Sequence, residues 1–288
     1  MAGLRPASAF GGHSPVKDTG WRLFLRTVRG RAYPRVIGSM REKSWIFFEI
    51  FLPLLTLMAY VWVYRALGAP EAYTGFVLLG GAMTAFWANV LWAMSSQLYW
   101  EKEQGNLALY VISPTTLMAL LLGMAIGGLM STAARAAFIV AIGATFFHVS
   151  FDPGRLPELA FVFLVTMTAL YGMGMMLASL FLLLNREAWH LANLAQEPIY
   201  LLSGFFFPVT ALPTLLVAGS SIVPLTLGMD AMRQLLFPAE SIRGFLPVPA
   251  ELAIVAGLAA LYLVGARWLL DVMERLAIRD GRLTESRK

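Results

Sequence analysis

The sequence predicts an all-α protein that crosses a membrane several times, and three observations predict it. Hydrophobic residues make up 58% of the 288 and charged residues only 14%, against about 45–50% and about 25% in a soluble domain. The apolar residues gather into uninterrupted runs of span length, which a helix of about 20 residues needs to cross hydrocarbon. Lysine and arginine are shared unevenly between the connecting segments, as membrane topology demands. The non-spanning parts are too short for a separate soluble catalytic domain. There is no cysteine, which excludes disulfides and thiolate metal sites. His13, His148 and His190 are scattered, so no metal site is expected. The net charge of +5 reads as topogenic charge rather than a nucleic-acid surface.

Residues 1–20 are rich in Gly, Ser and Pro and read as a disordered lead. Arg5, Lys17, Arg22, Arg26, Arg29, Arg31, Arg35, Arg41 and Lys43 crowd the first 44 residues without a short apolar core, so a cleaved signal peptide is not expected. Over residues 21–44, Trp21, Leu25, Val28 and Ala32 fall near one helical face, and Arg22, Arg26 and Arg29 on another. That pattern predicts an amphipathic helix flat on the anionic inner leaflet, or a plain topology anchor. Pro34 is expected to bend or end it.

Six spans follow: Trp45–Tyr64, Tyr73–Leu98, about Thr116–Phe147, Leu159–Leu184, about Leu191–Phe207, and Glu251–Leu270. Pro53 and Pro198 should kink two of them. The region Ala211–Met229 is apolar, but Pro213, Gly219 and Pro224 punctuate it. Counted as a span, it would put the basic N-terminal segment and the basic tail 271–288 on opposite sides, against the positive-inside rule. It is therefore expected to enter from outside and return, which needs a covering of protein or a wet cavity. Both termini are then cytoplasmic.

The polar interruption Tyr99–Pro114 lies between two long apolar runs. Glu101 and Glu103 sit where carboxylates complement the positive end of a helix. Leu107, Tyr110 and Val111 would form an apolar face, and Ser113-Pro114 would stop the helix and redirect the chain. By pattern this is either a short cytoplasmic helix docking on another protein or an ordinary inner loop.

Three charges fall within spans: Glu49, Arg135 and Glu197. Intramembrane charge is costly and usually faces protein or water. Each is a candidate for a translocation path, and each is equally open to a structural pairing. Phe86, Trp87, Trp92, Met173, Met175 and Met176 suit either an adaptable cavity or core packing. Gly123, Gly127 and Gly128, and Gly172 with Gly174, suit close helix approach. There is no Gly-x-x-x-x-Gly-Lys-Ser/Thr, His-Glu-x-x-His or Gly-x-Ser-x-Gly, so no enzyme chemistry is expected in this chain.

The series Glu101-x-Glu103-x-Gly105-x-Leu107, closed by Ser113-Pro114, resembles the motif after the second span of type-2 ABC exporter membrane subunits, the ABC-2 permeases. A second segment is similar to the family's stretch between its last two spans. It runs Gly204-Phe205-Phe206-Phe207-Pro208, Leu212-Pro213, Pro224-Leu225-Thr226 and Asp230-x-x-Arg233. Asn106 and Ala108 depart from the family's usual Thr and Glu.

The resemblance implies a coupling helix, Glu101–Ile112, meeting a separate cytoplasmic ATPase subunit. It implies a re-entrant gate, Gly204–Arg233, roofing a path between two permease subunits, identical or paralogous. ATP and magnesium would sit on the partner, with none in this chain. The cargo would be hydrophobic or amphipathic: a drug, an antibiotic, a lipid or a lipid-linked glycan. Asp230 and Arg233, spaced i, i+3, are placed to pair on one face. A proton-coupled transporter or a non-transporting scaffold remain alternatives.

Overall fold

The computed structural model describes residues 20–149, 153–184, 186–237 and 244–279. The expected lead through residue 19 and the last nine residues of the tail lie outside them. Every regular element among the described residues is helical. In chain order these are α1 (Trp21–Arg41), α2 (Lys43–Ala66), α3 (Ala72–Ala88), α4 (Gln97–Glu103), α5 (Asn106–Ile112), α6 (Leu117–Phe147), α7 (Leu156–Leu184), α8 (Arg186–Leu202), α9 (Thr214–Ser220), α10 (Pro224–Leu236) and α11 (Val248–Arg279). Five segments are long and apolar enough to cross a membrane: Ile46–Ala66, Ala72–Glu103, Leu117–Phe147, Leu156–Phe181 and Val248–Met273. A sixth is reached if α9 and α10, bent by 111° at their junction, count together.

The expected fifth span, about 191–207, falls on α8, which starts five residues earlier, ends at Leu202 and is not among the segments long and apolar enough to cross. With 17 residues it is at the short limit for a crossing. The tail is not all loop, since α11 continues to Arg279. Pro34, expected to bend or end the first helix, sits inside α1, which runs on to Arg41. It lies on an exposed side of that helix, as does Gly30, whose carbonyl loses its N–H partner to the proline and can turn to water instead.

The bundle has a packed middle and two open flanks. The segments of α3–α4, α6 and α7 bury 56–61% of their most apolar windows, whereas α2 and α11 bury 17% and 22%. Phe86, Trp87, Met94, Leu121, Met124 and Met175 are all fully buried in one core cluster, so the aromatic and methionine positions mainly fill the core. Burial of this kind stabilises by about 1.5–3 kcal/mol per large side chain in water. In a bilayer, close packing carries more of it.

Glycines set the closest approaches. A Cβ on Gly123 would stand 2.7 Å from the Val28 carbonyl oxygen, and one on Gly127 would stand 2.9 Å from that of Ala32. The Gly-x-x-x-Gly face of α6 therefore receives the backbone of α1. The inner half of α1 packs on protein rather than lipid, while Trp21 and Leu25 stay exposed. Gly172 does the same for α7 against Tyr262 and Leu263 of α11, and Gly174 against Val90.

Between α3 and α4 the helix widens into π turns at Asn89–Met94. The Ser95 amide bonds to the Val90 carbonyl, five residues back, at 3.0 Å. Such a widening adds a residue to the helix without ending it. The apolar run thus continues from the membrane directly into α4.

Candidate functional site

At one end of the bundle, α4 and α5 form an elbow. The single helix expected over Glu101–Ile112 is broken, because Gly105 takes φ +76°. That left-handed conformation is open to glycine without penalty. At the elbow's inner side, Glu101 is buried, with 4% of its surface exposed. Its Oε1 accepts from Arg31 Nη2 and from Gln97 Nε2 at 3.1 Å. Its Oε2 accepts from Asn106 Nδ2 at 3.0 Å and from the Tyr110 hydroxyl at 3.1 Å. One carboxylate thereby ties α1, α4 and α5 together with charge-assisted bonds. Arg31 also stands over the Tyr110 ring at 5.5 Å. Arg35 donates to Gln97 at 3.2 Å. Burial pushes the Arg35 guanidinium below its ordinary value, and the Arg31 and Arg135 charges push the same way.

The six residues expected to meet a partner do not share one exposure. Glu101 and Leu107 face inward, the latter into the main core. Glu103, Gly105 and Pro114 are exposed. Ser113 is half-buried; its hydroxyl donates to the Tyr110 carbonyl at 2.8 Å and ends α5. Thr116 then caps α6, accepting from the Ala119 amide at 3.2 Å. Leu109 and Trp100 complete an exposed apolar rim, 60% and 46% exposed.

The opposite end is built around Arg233. The chain leaves α8 at Gly204, whose φ is +65°, and runs without helix through Phe207 and Pro208. Pro208 precedes a short 3-10 turn, Val209–Ala211, and Leu212 and Pro213 extend the chain to the start of α9. Pro224 opens α10 at its first turn, where a missing N–H removes no helical bond. Arg233 has no exposed surface. It donates to the carbonyls of Gly204 at 2.8 Å, Phe205 at 2.8 Å, Phe207 at 3.3 Å and Phe76 at 3.3 Å.

The expected Asp230–Arg233 pairing is not formed: no such ion pair within 4 Å occurs among the described residues. The physical reason is the nonhelical stretch, whose buried carbonyls need donors and which a guanidinium's fork can serve several at a time. Asp230 instead accepts from the Phe245 amide at 2.7 Å. Gln234 Nε2 bridges to Glu251 at 3.1 Å and to the Leu246 carbonyl at 2.9 Å. Together these bonds staple the entry of α11 to α10.

Of the charges within spans, Arg135 and Glu49 meet across α6 and α2 at 2.6 Å, and Arg135 also donates to Thr132 at 3.1 Å. Glu197 does not join them. It is exposed and lines a cavity of about 540 Å³ between α2, α3 and α8.

Sequence reasoning missed Arg31, Gln97, Asn106 and Tyr110 as partners of Glu101, and Gln234 and Glu251 as the staple. The one local signal was the i, i+4 spacing of Gln97 and Glu101. The remaining partners come from α1 and α5 and are visible only in three dimensions.

A helical bundle with five segments long and apolar enough to cross a bilayer is that of a multi-pass membrane protein. An ABC-2 type transporter family profile matches residues 34–237, from the inner half of α1 to the end of α10. The chain belongs to the ABC-2 type transporter family, and it is a permease component of an ABC transporter. That family implies association with an ATPase subunit. No curated protein matches the chain.

Proposed function

We propose that this chain is the membrane subunit of an ATP-driven exporter in the cytoplasmic membrane, moving a hydrophobic or amphipathic cargo. The observation that carries this reading is the elbow's division into an exposed tip and a braced root. Glu103, Gln104 and Gly105 offer a polar tip to a partner, while Glu101 fixes the root to α1. ATP and magnesium belong to that partner, and this chain needs no cofactor or catalytic group of its own.

Closure of the ATPase subunits would push the α4–α5 tip. The push has two routes inward. One is axial, through the π turns into α3. The other is lateral, through Glu101 and Arg31 into α1, which rests on the glycine face of α6. A partner shifts the balance between inward-open and outward-open states only by binding them differently.

In this reading α8 crosses the bilayer as the fifth of six spans. The 111° bend of α9 against α10 turns the chain back to the side it came from. Nearly all of α10 is buried, which supplies the protein covering that broken backbone requires. Both termini then lie in the cytoplasm, and α1 runs along the inner leaflet. The sparsely buried faces of α2 and α11 are available to lipid and to a second permease subunit, identical or paralogous.

The test is Glu103→Lys in vesicles holding both subunits. Loss of permease-stimulated ATP hydrolysis, with normal insertion and melting, is the expected outcome. Unchanged stimulation would remove the docking role of the tip. Uphill transport by the purified chain alone would remove the exporter reading.

A further inference from the structure

The cavity between α2, α3 and α8 has a composition that selects a ligand class. Its lining includes Tyr60, Thr84, Glu197, Tyr200, Phe206 and Phe207. The Tyr60 and Phe206 rings stack at 4.3 Å. The Thr56 and Thr84 hydroxyls donate to carbonyls of their own helices, at 3.3 and 2.7 Å, so their donor capacity is already used. Glu197 is the one charged residue in the lining.

The position matters as much as the chemistry. Leu52, Pro53 and Tyr60 stand midway along α2, and Gly81 and Thr84 midway along the Ala72–Glu103 span. The cavity is therefore at membrane depth, where an ionisable side chain costs about 2.5–3.5 kcal/mol or more. The other two charges at that depth, Glu49 and Arg135, answer each other. Glu197 has no ion pair or hydrogen bond among the described residues. Arg186, on the same helix, is eleven residues away, about 16 Å along the axis. A carboxylate exposed in a cavity that is also lined by aromatic rings, with no counter-charge in that lining, is complementary to an organic cation. The carboxylate supplies the opposite charge, and the faces of Tyr60, Tyr200 and Phe206 supply cation–π attraction and apolar contact.

We infer that this cavity binds cationic amphipathic molecules, with Glu197 as the charge-selecting residue. The inference deepens the proposed permease function and rests on α8 lying within the bilayer.

The experiment uses the full chain in phosphatidylcholine nanodiscs without an ATPase subunit, with empty nanodiscs subtracted. The probes are tetraphenylphosphonium and tetraphenylborate, which share shape and differ in the sign of their charge. Saturable binding of the cation, not displaced by the anion, is expected. Glu197→Gln should weaken it by about tenfold or more, Glu197→Asp should keep most of it, and Glu158→Gln, at the exposed start of α7, should leave it unchanged. Equal binding of both probes by the wild-type chain would overturn the inference. So would cation binding kept within about twofold by a Glu197→Gln protein of normal melting temperature. If that variant does not fold, the displacement experiment on wild type decides alone. Because no ATPase is present, failure here leaves the Glu103 test of coupling untouched, and failure there leaves this one untouched.

Discussion

Both ends of this bundle are held by one buried charge, and they are held in opposite ways. At the elbow, Glu101 is an acceptor reached by four side chains from three helices. At the opposite end, Arg233 is a donor serving four backbone carbonyls. Side-chain bonds can be broken and remade as helices shift, because rotamers absorb the movement. Bonds to backbone carbonyls fix the main chain itself. The contrast predicts a movable end at the elbow and a rigid scaffold around the break at the far end. Exposure agrees: the Arg31 side chain is 30% exposed and Arg233 is fully enclosed.

The comparison breaks first at Arg233. Arg233→Met keeps volume but leaves four buried carbonyls without that donor, and the expected loss is about 3–5 kcal/mol. Thermal unfolding in detergent should show a collapse of folded yield; a melting curve near wild type would mean this end is not held by Arg233. Next is Gly80→Ala. Its Cβ would overlap the Phe205 carbonyl oxygen, so α3 or the backbone after α8 must move, at about 3 kcal/mol, the upper end for overpacking.

Glu101→Ala should cost less, about 1.5–3 kcal/mol, since the partially exposed Arg31 can turn to water. A double-mutant cycle with Arg31→Ala should return a coupling energy above about 0.5 kcal/mol; additivity would show that the brace carries nothing. Asn106→Thr restores the family's usual residue and removes one donor to Glu101, at about 1 kcal/mol. Smallest for stability is Glu103→Lys, which should leave melting unchanged while ATP coupling is lost. That separation, stability at the root and function at the tip, sharpens the contrast most.

The class of protein was legible because hydrophobic runs and basic flanks report on the solvent, a one-dimensional property. The two motifs were legible for the same reason, as each is contiguous. Facing was not legible. Glu101 and Glu103 look alike in sequence, yet one turns toward α1 and the other toward solvent, and only the arrival of Arg31 decides which. Gly105 was noted as part of a motif, and its left-handed conformation is what splits the predicted helix. The Asp230–Arg233 spacing suggested a pair, but the demand of Gly204–Phe207 for donors arises 26 to 29 residues away. α8 was misbounded because its polar first turn dilutes the apolar signal, while the nonhelical Gly204–Phe207 continues it.

The π turns at Asn89–Met94 have a consequence for how this machine is clocked. Each residue advances an α-helix by about 100°. The wide turns absorb one extra residue and so keep α4 in the rotational phase it would have without that residue. Wound as plain α-helix, the same residues would swing Glu101 about a quarter-turn away from Arg31. The direction in which the elbow presents its tip is set some ten residues upstream of it, so a substitution that straightens those turns would re-aim the tip without touching the elbow.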